Sequence, residues 1–427
     1  MRRVASVSVT VALCALVASR VLAATVPAPV STPPPTPVPP HGSPSPFPTA
    51  LATPVPSLRT PKLTAGSAVL EDLDTGQVLL GIREDVPRPV ASLTKIMTAY
   101  VVLHHLSPSH VVTVSAEAAQ LGAARVGLSV LGVRDGEKLT VRELLEALLL
   151  QSANDAAVAL ADGVSATTDD FVALMNRTAG KLDLRGTRFR SPNGLDDRGH
   201  STAWSLATLT RDAERLPLFA KLVRTEFATI PAPAGRKPRV VQNRNVLLWL
   251  YPGATGVKTG YTARSGYCLV ATATSGGQRL AAVVLGEPSS QSSFNDAAAL
   301  LNYGFHSFLP ERVIENGRTF PATAAGERYN VAATRSLRAW VRSDERAPPA
   351  FSVRLPDRAL REGDVAGTVV ARIHGRVLGR VPLVVVADLG PATPPVQPGA
   401  PPPPPWWAAN LQSFDRVASE VYHSVFG

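Results

Sequence analysis

The sequence predicts an α/β fold of the α+β type, with an antiparallel sheet packed by helices and a small all-β domain after it. Two observations predict this class. Between about residues 62 and 305, strand patterns come first, then helices, then strands again and a last helix, the order expected of helices packed on an antiparallel sheet. From residue 306 to about 390, only short β-like runs separated by turn residues remain.

The first unit begins with a strand pair. Residues 66–73 and 77–81 are β-like runs separated by Asp74-Thr75-Gly76, which is typical of a hairpin. Helices are predicted over residues 92–106, 141–150, 155–163 and 294–305. The first of these helices is almost wholly apolar, so we expect it to be buried on every side.

Two later hairpins complete the predicted strands. Residues 267–274 and 279–286 are joined across Gly276-Gly277, and we expect Cys268 to be a packed residue of the first of them. In the second domain, residues 369–373 and 376–381 face each other across His374-Gly375.

Both ends of the chain differ in composition from its body. Residues 1–24 have Arg2 and Arg3, an apolar stretch and small residues at its end, which predicts a secretory signal; an uncleaved anchor is the alternative. Residues 25–61 and 391–405 are proline-rich linkers. Residues 406–427 place apolar side chains at helical spacing, which fits either a helix at a membrane surface or one docked on its own protein.

Charge and cysteine content exclude several classes of protein. The chain has 427 residues, a net charge of +10 and 2 cysteines, of which Cys14 lies in the predicted signal, so no internal disulfide is expected after cleavage. Its basic residues are dispersed without interleaved aromatics, which argues against nucleic acid as a partner. No metal-ligand cluster is evident, and no cofactor is expected. An exported protein of this charge fits an anionic cell envelope.

The strongest local pattern is Ser92-Leu93-Thr94-Lys95. On a helix, positions i and i+3 share a face, so the amino group of Lys95 can reach the hydroxyl of Ser92. Burial favours the neutral amine of a lysine, and a neutral amine can accept the proton of a serine. The pattern therefore predicts a nucleophile and its base, although four residues of this kind also occur by chance.

Two further motifs accompany the first. Ser152-Ala153-Asn154 lies between two predicted helices, and Lys258-Thr259-Gly260 begins the strand that leads to Cys268. With these three motifs in this order, residues 62–305 resemble the D-alanyl-D-alanine carboxypeptidases among the low-molecular-mass penicillin-binding proteins. The resemblance implies a fold like that of β-lactamases and transpeptidases, and an exported serine enzyme that removes the terminal D-alanine of peptidoglycan stem pentapeptides and is inhibited by β-lactams.

The same resemblance implies roles for individual residues. Ser92 is the nucleophile, Lys95 is its base, and Ser152 relays a proton. The residues expected to bind substrate are Asn154, Lys258, Thr259, Gly260, Tyr261 and Thr262. Backbone N–H groups of Ser92 and Tyr261 are expected to form the oxyanion hole.

Three other functions stay open at this point. An endopeptidase of peptidoglycan cross-links would use the same chemistry. A serine β-lactamase would share the motifs, but no glutamate lies between Asn154 and Glu214 to activate a deacylating water. A non-catalytic penicillin-binding envelope protein would be expected to have lost a motif. The chain also departs from some family members, because Glu287-Pro288 follows the last strand of the sheet where those members place an arginine.

Overall fold

The computed structural model describes residues 59–386, apart from residues 124–126, 326 and 346. The predicted signal, the second linker and the C-terminal helix lie outside the described residues, as does nearly all of the first linker. Among the described residues, no helix is both long enough and apolar enough to cross a membrane.

The first part of the described chain is built around one antiparallel sheet. Its strands and those of two short pairs are β1 (Ser67–Asp72), β2 (Val78–Ile82), β3 (Val111–Thr113), β4 (Lys138–Thr140), β5 (Phe227–Ile230), β6 (Arg239–Gln242), β7 (Ala254–Thr262), β8 (Gly266–Ser275) and β9 (Gln278–Glu287). The main sheet has the order β2-β1-β9-β8-β7, while β3 pairs with β4 and β5 with β6. Both hairpins predicted for this part, β1 with β2 and β8 with β9, are confirmed.

Helices cover both faces of this sheet. They are α1 (Thr94–His105), α2 (Ala116–Gly122), α3 (Val141–Glu146), α4 (Asn154–Val164), α5 (Thr168–Lys181), α6 (Ala203–Ala213), α7 (Pro217–Arg224), α8 (Leu247–Leu250) and α9 (Ser290–Ser307). A 3₁₀ turn, Ala91–Leu93, precedes α1, and a π-helical turn, Ala147–Gln151, continues α3. The expectation that the first helix is buried on every side is wrong for its last turn, where His104 and His105 are exposed, because α1 ends at the protein surface.

Alternate residues of β9 pack into two separate cores, as the period of two in a strand requires. Val283 and Leu285 belong to the core that contains the apolar residues of α1. Leu280 and Val284 belong to the opposite core, which α9 covers. The sheet is thus enclosed between helices, and β7 remains at its edge beside the turn that carries Ser92.

The second part of the described chain is an all-β region. Its strands are β10 (Phe308–Ile314), β11 (Thr319–Ala324), β12 (Glu327–Ala333), β13 (Leu337–Arg342), β14 (Ala350–Arg354), β15 (Val365–Ile373) and β16 (Arg376–Val385). Five of them form the sheet β11-β12-β16-β15-β14, and β10 pairs with β13. The predicted hairpin is confirmed, with Ile373 opposite Arg376. The buried apolar residues of this region form a cluster of their own, and the predicted all-β character is confirmed.

Candidate active site

The turn that carries Ser92 is held in a strained backbone conformation. Ala91, directly before Ser92, has φ 48, in the left-handed region that residues with a Cβ rarely adopt. The packing of β7 against the turn explains the glycine of the third motif. A Cβ on Gly260 would lie 3.0 Å from the carbonyl oxygen of Val90 and 3.2 Å from the amide nitrogen of Ser92. Gly260 therefore lets the strand approach Ser92.

Lys95 lies on the first turn of α1 and is fully buried. Its Nζ is 2.9 Å from Oγ of Ser92, 2.8 Å from Oδ1 of Asn154 and 2.7 Å from the carbonyl oxygen of Asn193. The amide and carbonyl oxygens can only accept hydrogen bonds. A neutral Lys95 would donate its two N–H groups to these oxygens, which leaves its lone pair directed at the hydroxyl of Ser92.

The electrostatics of the site favour neutral lysines. Burial lowers the pKa of Lys95 well below its usual value, the charge of Arg244 lowers it further, and the charge of Asp155 partly opposes both. The pKa of Lys258 is also well lowered, first by burial and then by the charges of Lys95 and Arg244. Because proton acceptance requires a neutral amine, burial prepares Lys95 to act as a base at a pH where an exposed lysine would be charged.

The second motif forms the junction between the π-helical turn and α4. Ser152 is buried and has φ 66, so it is a second residue of the site in the left-handed region. Asn154 begins α4 and accepts the hydrogen bond from Lys95. Its own main-chain N–H and its Nδ2 both donate to the carbonyl oxygen of Ser129, at 2.8 and 3.1 Å. These two bonds fix the side-chain oxygen of Asn154 towards the lysine.

The third motif lies on the free edge of the sheet. Lys258 is buried, and its Nζ donates to the carbonyl oxygen of Thr259 at 2.9 Å. Tyr261 is exposed and stacks on Tyr267, with ring centroids 4.3 Å apart. The hydroxyl of Thr262 donates to Oδ1 of Asp197 at 2.8 Å. That hydroxyl is thus engaged within the protein, which the sequence does not reveal.

Sequence reasoning missed two groups that contact or influence the lysines. The carbonyl oxygen of Asn193 binds Lys95 across 98 positions of sequence. The charge of Arg244 lowers the pKa of both lysines, after burial for Lys95 and after burial and the charge of Lys95 for Lys258. The main-chain N–H of Arg244 donates to the carbonyl oxygen of Leu150 in the π-helical turn. No local sequence pattern predicts either group, because packing between distant segments brings both of them to the site.

The match to known families agrees with this geometry. The family described as peptidase S11, D-alanyl-D-alanine carboxypeptidase, matches residues 55–289. The chain belongs to this family. That match includes all three motifs and the whole of the main sheet.

Individual S11 relatives are similar over most of their length. D-alanyl-D-alanine carboxypeptidase DacD of Salmonella typhimurium is 33% identical over 347 residues, which cover 77% of this chain and 87% of the relative. The Escherichia coli protein of the same name is 38% identical over 271 residues, 61% of this chain and 68% of the relative. The solved structure of penicillin binding protein 5 from Haemophilus influenzae has a TM-score of 0.63 at 28% identity and covers 77% of this chain and 98% of its own. The predicted fold class is therefore confirmed.

Proposed function

We propose that this S11 protein is a serine D-alanyl-D-alanine carboxypeptidase that removes the terminal D-alanine from peptidoglycan stem pentapeptides. The observation that carries the proposal is the contact of 2.9 Å between Oγ of Ser92 and a buried Lys95 whose other two partners can only accept hydrogen bonds. Family membership supplies the substrate class, and its relatives include penicillin-binding proteins.

The proposed reaction proceeds through an acyl-enzyme. Oγ of Ser92 attacks the carbonyl carbon of the penultimate D-alanine while the hydroxyl proton passes to Nζ of Lys95. The N–H groups of Ser92 and Tyr261 receive the negative charge that develops on the carbonyl oxygen. The C–N bond then breaks, and the leaving amine takes the proton through Ser152. Water attacks the resulting ester and gives up a proton to Lys95. The bond between the acyl carbon and Oγ of Ser92 then breaks, Lys95 returns the proton to that oxygen, and the shortened stem is released.

The remaining residues of the second and third motifs are proposed to bind substrate. Asn154 would hold the peptide backbone, and Lys258 with Thr259 would face the terminal carboxylate. Arg244, whose charge acts on Lys258, is a further cation that could attract that carboxylate. A further cation is needed because β9 ends in Glu287, where some family members have an arginine. Thr262, on β7, is also proposed to contribute to substrate binding, and its hydroxyl attaches the loop that contains Asp197 to this strand. Gly260 provides the close approach of β7 that brings these groups to Ser92.

The proposed setting is the cell envelope outside the cytoplasmic membrane. The predicted signal over residues 1–24 supports export, and the named relatives are carboxypeptidases of the same family. A membrane contact through residues 406–427 is part of this proposal, since their apolar side chains recur at helical spacing. We also propose the division into a catalytic domain of residues 62–305 and a β domain of residues 306–390.

One feature argues against a β-lactamase of the class that uses a glutamate for deacylation. Glu214, the first glutamate after Asn154, accepts a hydrogen bond from Thr272 at 2.8 Å and pairs with Arg279 at 2.8 Å. These contacts engage both of its carboxylate oxygens. We therefore expect penicillin bound to Ser92 to be released slowly.

The test is an assay of the purified protein with a pentapeptide stem that ends in D-Ala-D-Ala. We expect D-alanine to be released, penicillin to block the release, and Ser92→Ala to abolish both turnover and labelling by fluorescent penicillin. Stable labelling without release would favour an endopeptidase, which cross-linked stem dimers would then test. Rapid hydrolysis of penicillin would indicate a β-lactamase, and absence of labelling would indicate a non-catalytic protein.

A further inference from the structure

A buried carboxylate behind the catalytic residues has no role in the reaction proposed above. Asp155 follows Asn154 in the first turn of α4 and has no exposed surface. Its Oδ1 accepts a hydrogen bond from the main-chain N–H of Leu131 at 2.9 Å, and its Oδ2 accepts from Gly132 at 2.8 Å and Val133 at 3.2 Å. One side chain thus binds three consecutive N–H groups of a segment more than 20 positions earlier.

The main chain of this segment forms a concave site for an anion. Gly132 has φ 78, and successive N–H groups converge when a left-handed residue lies among them. The carboxylate of Asp155 occupies this concavity. Hydrogen bonds from main-chain N–H groups to a charged carboxylate are stronger than those between neutral groups, so the attachment is a firm one.

The same segment is attached to the catalytic turn at its other end. Ser129 provides the carbonyl oxygen that binds both nitrogen donors of Asn154. The next carbonyl, that of Val130, accepts from Nε2 of Gln151 at 2.7 Å. Residues 129–133 therefore contact the chain on both sides of Ser152, and the bonds of Asp155 hold one end of this brace.

We propose that Asp155 is a positioning residue for acylation, which keeps Asn154 and Ser152 in their working geometry by binding the main chain of residues 131–133. The proposal rests on the proposed function, because the geometry concerned is that of Lys95 and its acceptor Asn154. Asp155 does not touch substrate in this account. It acts through the segment that fixes the oxygen 2.8 Å from Nζ of Lys95.

The position of Asp155 adds an electrostatic effect to this mechanical one. The charged groups that act on Lys95 are Arg244, which lowers its pKa after burial, and Asp155, which raises it. Lys258 is the neighbouring lysine, whose own pKa is lowered by the charge of Lys95. Loss of the carboxylate charge should lower the pKa of Lys95 further, so the neutral amine would persist to a lower pH.

The experiment measures the rate constant of acylation by fluorescent penicillin between pH 5 and 10 in the full chain and its variants. Asp155→Asn keeps the side-chain size but directs an NH₂ group at main-chain donors. We expect acylation to slow by about 10- to 100-fold, since a displacement of about 1 Å in a catalytic group costs about 100-fold. We also expect the acid limb of the pH profile to move to lower pH.

Two further variants separate positioning from general stability. Asp162→Asn removes a charge from the same helix, where Asp162 accepts from the hydroxyl of Ser115 at 2.6 Å, and should leave the acylation profile unchanged. Gly132→Ala disturbs the concave segment but keeps the carboxylate, so acylation should slow without a downward shift of the acid limb. If Asp155→Asn does not fold, the acylation rate of Gly132→Ala still tests whether the concave segment positions the site.

The outcomes distinguish the two proposals. Failure of the wild-type protein to react with penicillin would contradict the proposed function itself. A reactive wild type whose Asp155→Asn and Gly132→Ala variants have lower melting temperatures, but normal acylation rates and pH profiles, would show that Asp155 has only a structural role. That result would overturn the inference and leave the carboxypeptidase intact.

Discussion

The catalytic centre and the start of β1 both bury groups of like charge, with opposite chemical results. In the centre, Lys95 and Lys258 are buried near Arg244, and both lysines have a lowered pKa. At the start of β1, Glu287 and Asp296 are buried together and bind Thr64, and Glu287 has its pKa raised to about 7. In each region burial is the main cause, because a low dielectric disfavours the charged form.

The difference lies in what the neutral group can then do. A neutral lysine beside Ser92 has a lone pair that can accept a proton, so burial favours the form that the proposed base requires. A neutral carboxyl at Glu287 relieves repulsion from Asp296, whose Oδ2 accepts hydrogen bonds from the main-chain N–H groups of Thr64 and Ala65. Burial of like charges thus favours proton transfer at the lysines, whereas at the carboxyl pair it accompanies attachment of the chain before β1.

Replacement of the base should have the largest effect. Lys95→Ala removes the group 2.9 Å from Oγ of Ser92, and we expect acylation by penicillin to fall about 10²- to 10⁴-fold, the usual contribution of general base catalysis. The measurement is the rate of labelling at constant pH, with the melting temperature as a check of folding. An acylation rate within about threefold of wild type in a folded variant would contradict the role of Lys95.

Removal of the neighbouring positive charge should shift the pH dependence. Arg244→Gln takes away the charge that, after burial, lowers the pKa of Lys95 most, so that pKa should rise. The acid limb of acylation should then move to higher pH, opposite to the shift expected for Asp155→Asn. Arg142→Gln, at an exposed position of α3, is the matched control. An unmoved limb would show that Arg244 does not act on the lysine.

The buried pair of Glu287 and Asp296 should make the stability of the protein depend on pH. The folded-state pKa of Glu287 is raised to about 7 from 4.5, so folding takes up a proton between these values. Its stabilising contribution is complete below pH 4.5 and is lost as pH rises through 7. Glu287→Gln should therefore flatten the fall in melting temperature between pH 5 and 8, while Glu362→Gln, at an exposed turn, should not.

The melting temperature of Glu287→Gln should still fall in part as pH rises, because Glu71 also loses a proton in this range. Burial raises the pKa of Glu71 to about 7 despite its ion pair with Arg211. A melting temperature of Glu287→Gln that declines with pH as steeply as that of wild type would mean that Glu287 is ionised in the folded protein.

The smallest effect is expected at Thr64. Its hydroxyl donates to Oε2 of Glu287 at 2.6 Å, and this bond favours the charged carboxylate. Thr64→Val should lower the free energy of unfolding by about 1 kcal/mol, and by more at pH 8 than at pH 5. Thr225→Val, where the lost bond is to a local carbonyl oxygen, should show no such pH dependence. Urea denaturation at the two pH values provides the comparison.

The sequence by itself determined several of the elements and the contact between the two residues of the first motif. Hairpins such as β8 with β9 are specified by alternating side chains and turn residues that lie close together in the chain, so local patterns are sufficient. Ser92 and Lys95 are three positions apart, and their contact is nearly guaranteed once the turn and α1 form. The burial of Cys268 follows from its strand in the same way.

Only the tertiary structure decided what surrounds those groups. The carbonyl of Asn193, the charge of Arg244 and the brace held by Asp155 come from segments far from Lys95 in sequence. A carbonyl oxygen or a main-chain N–H has no residue type that marks it, so a sequence cannot show where these groups converge. The contact between Ser92 and the proposed base is therefore local, whereas the lowered pKa of Lys95 depends on burial, which the packed fold alone creates.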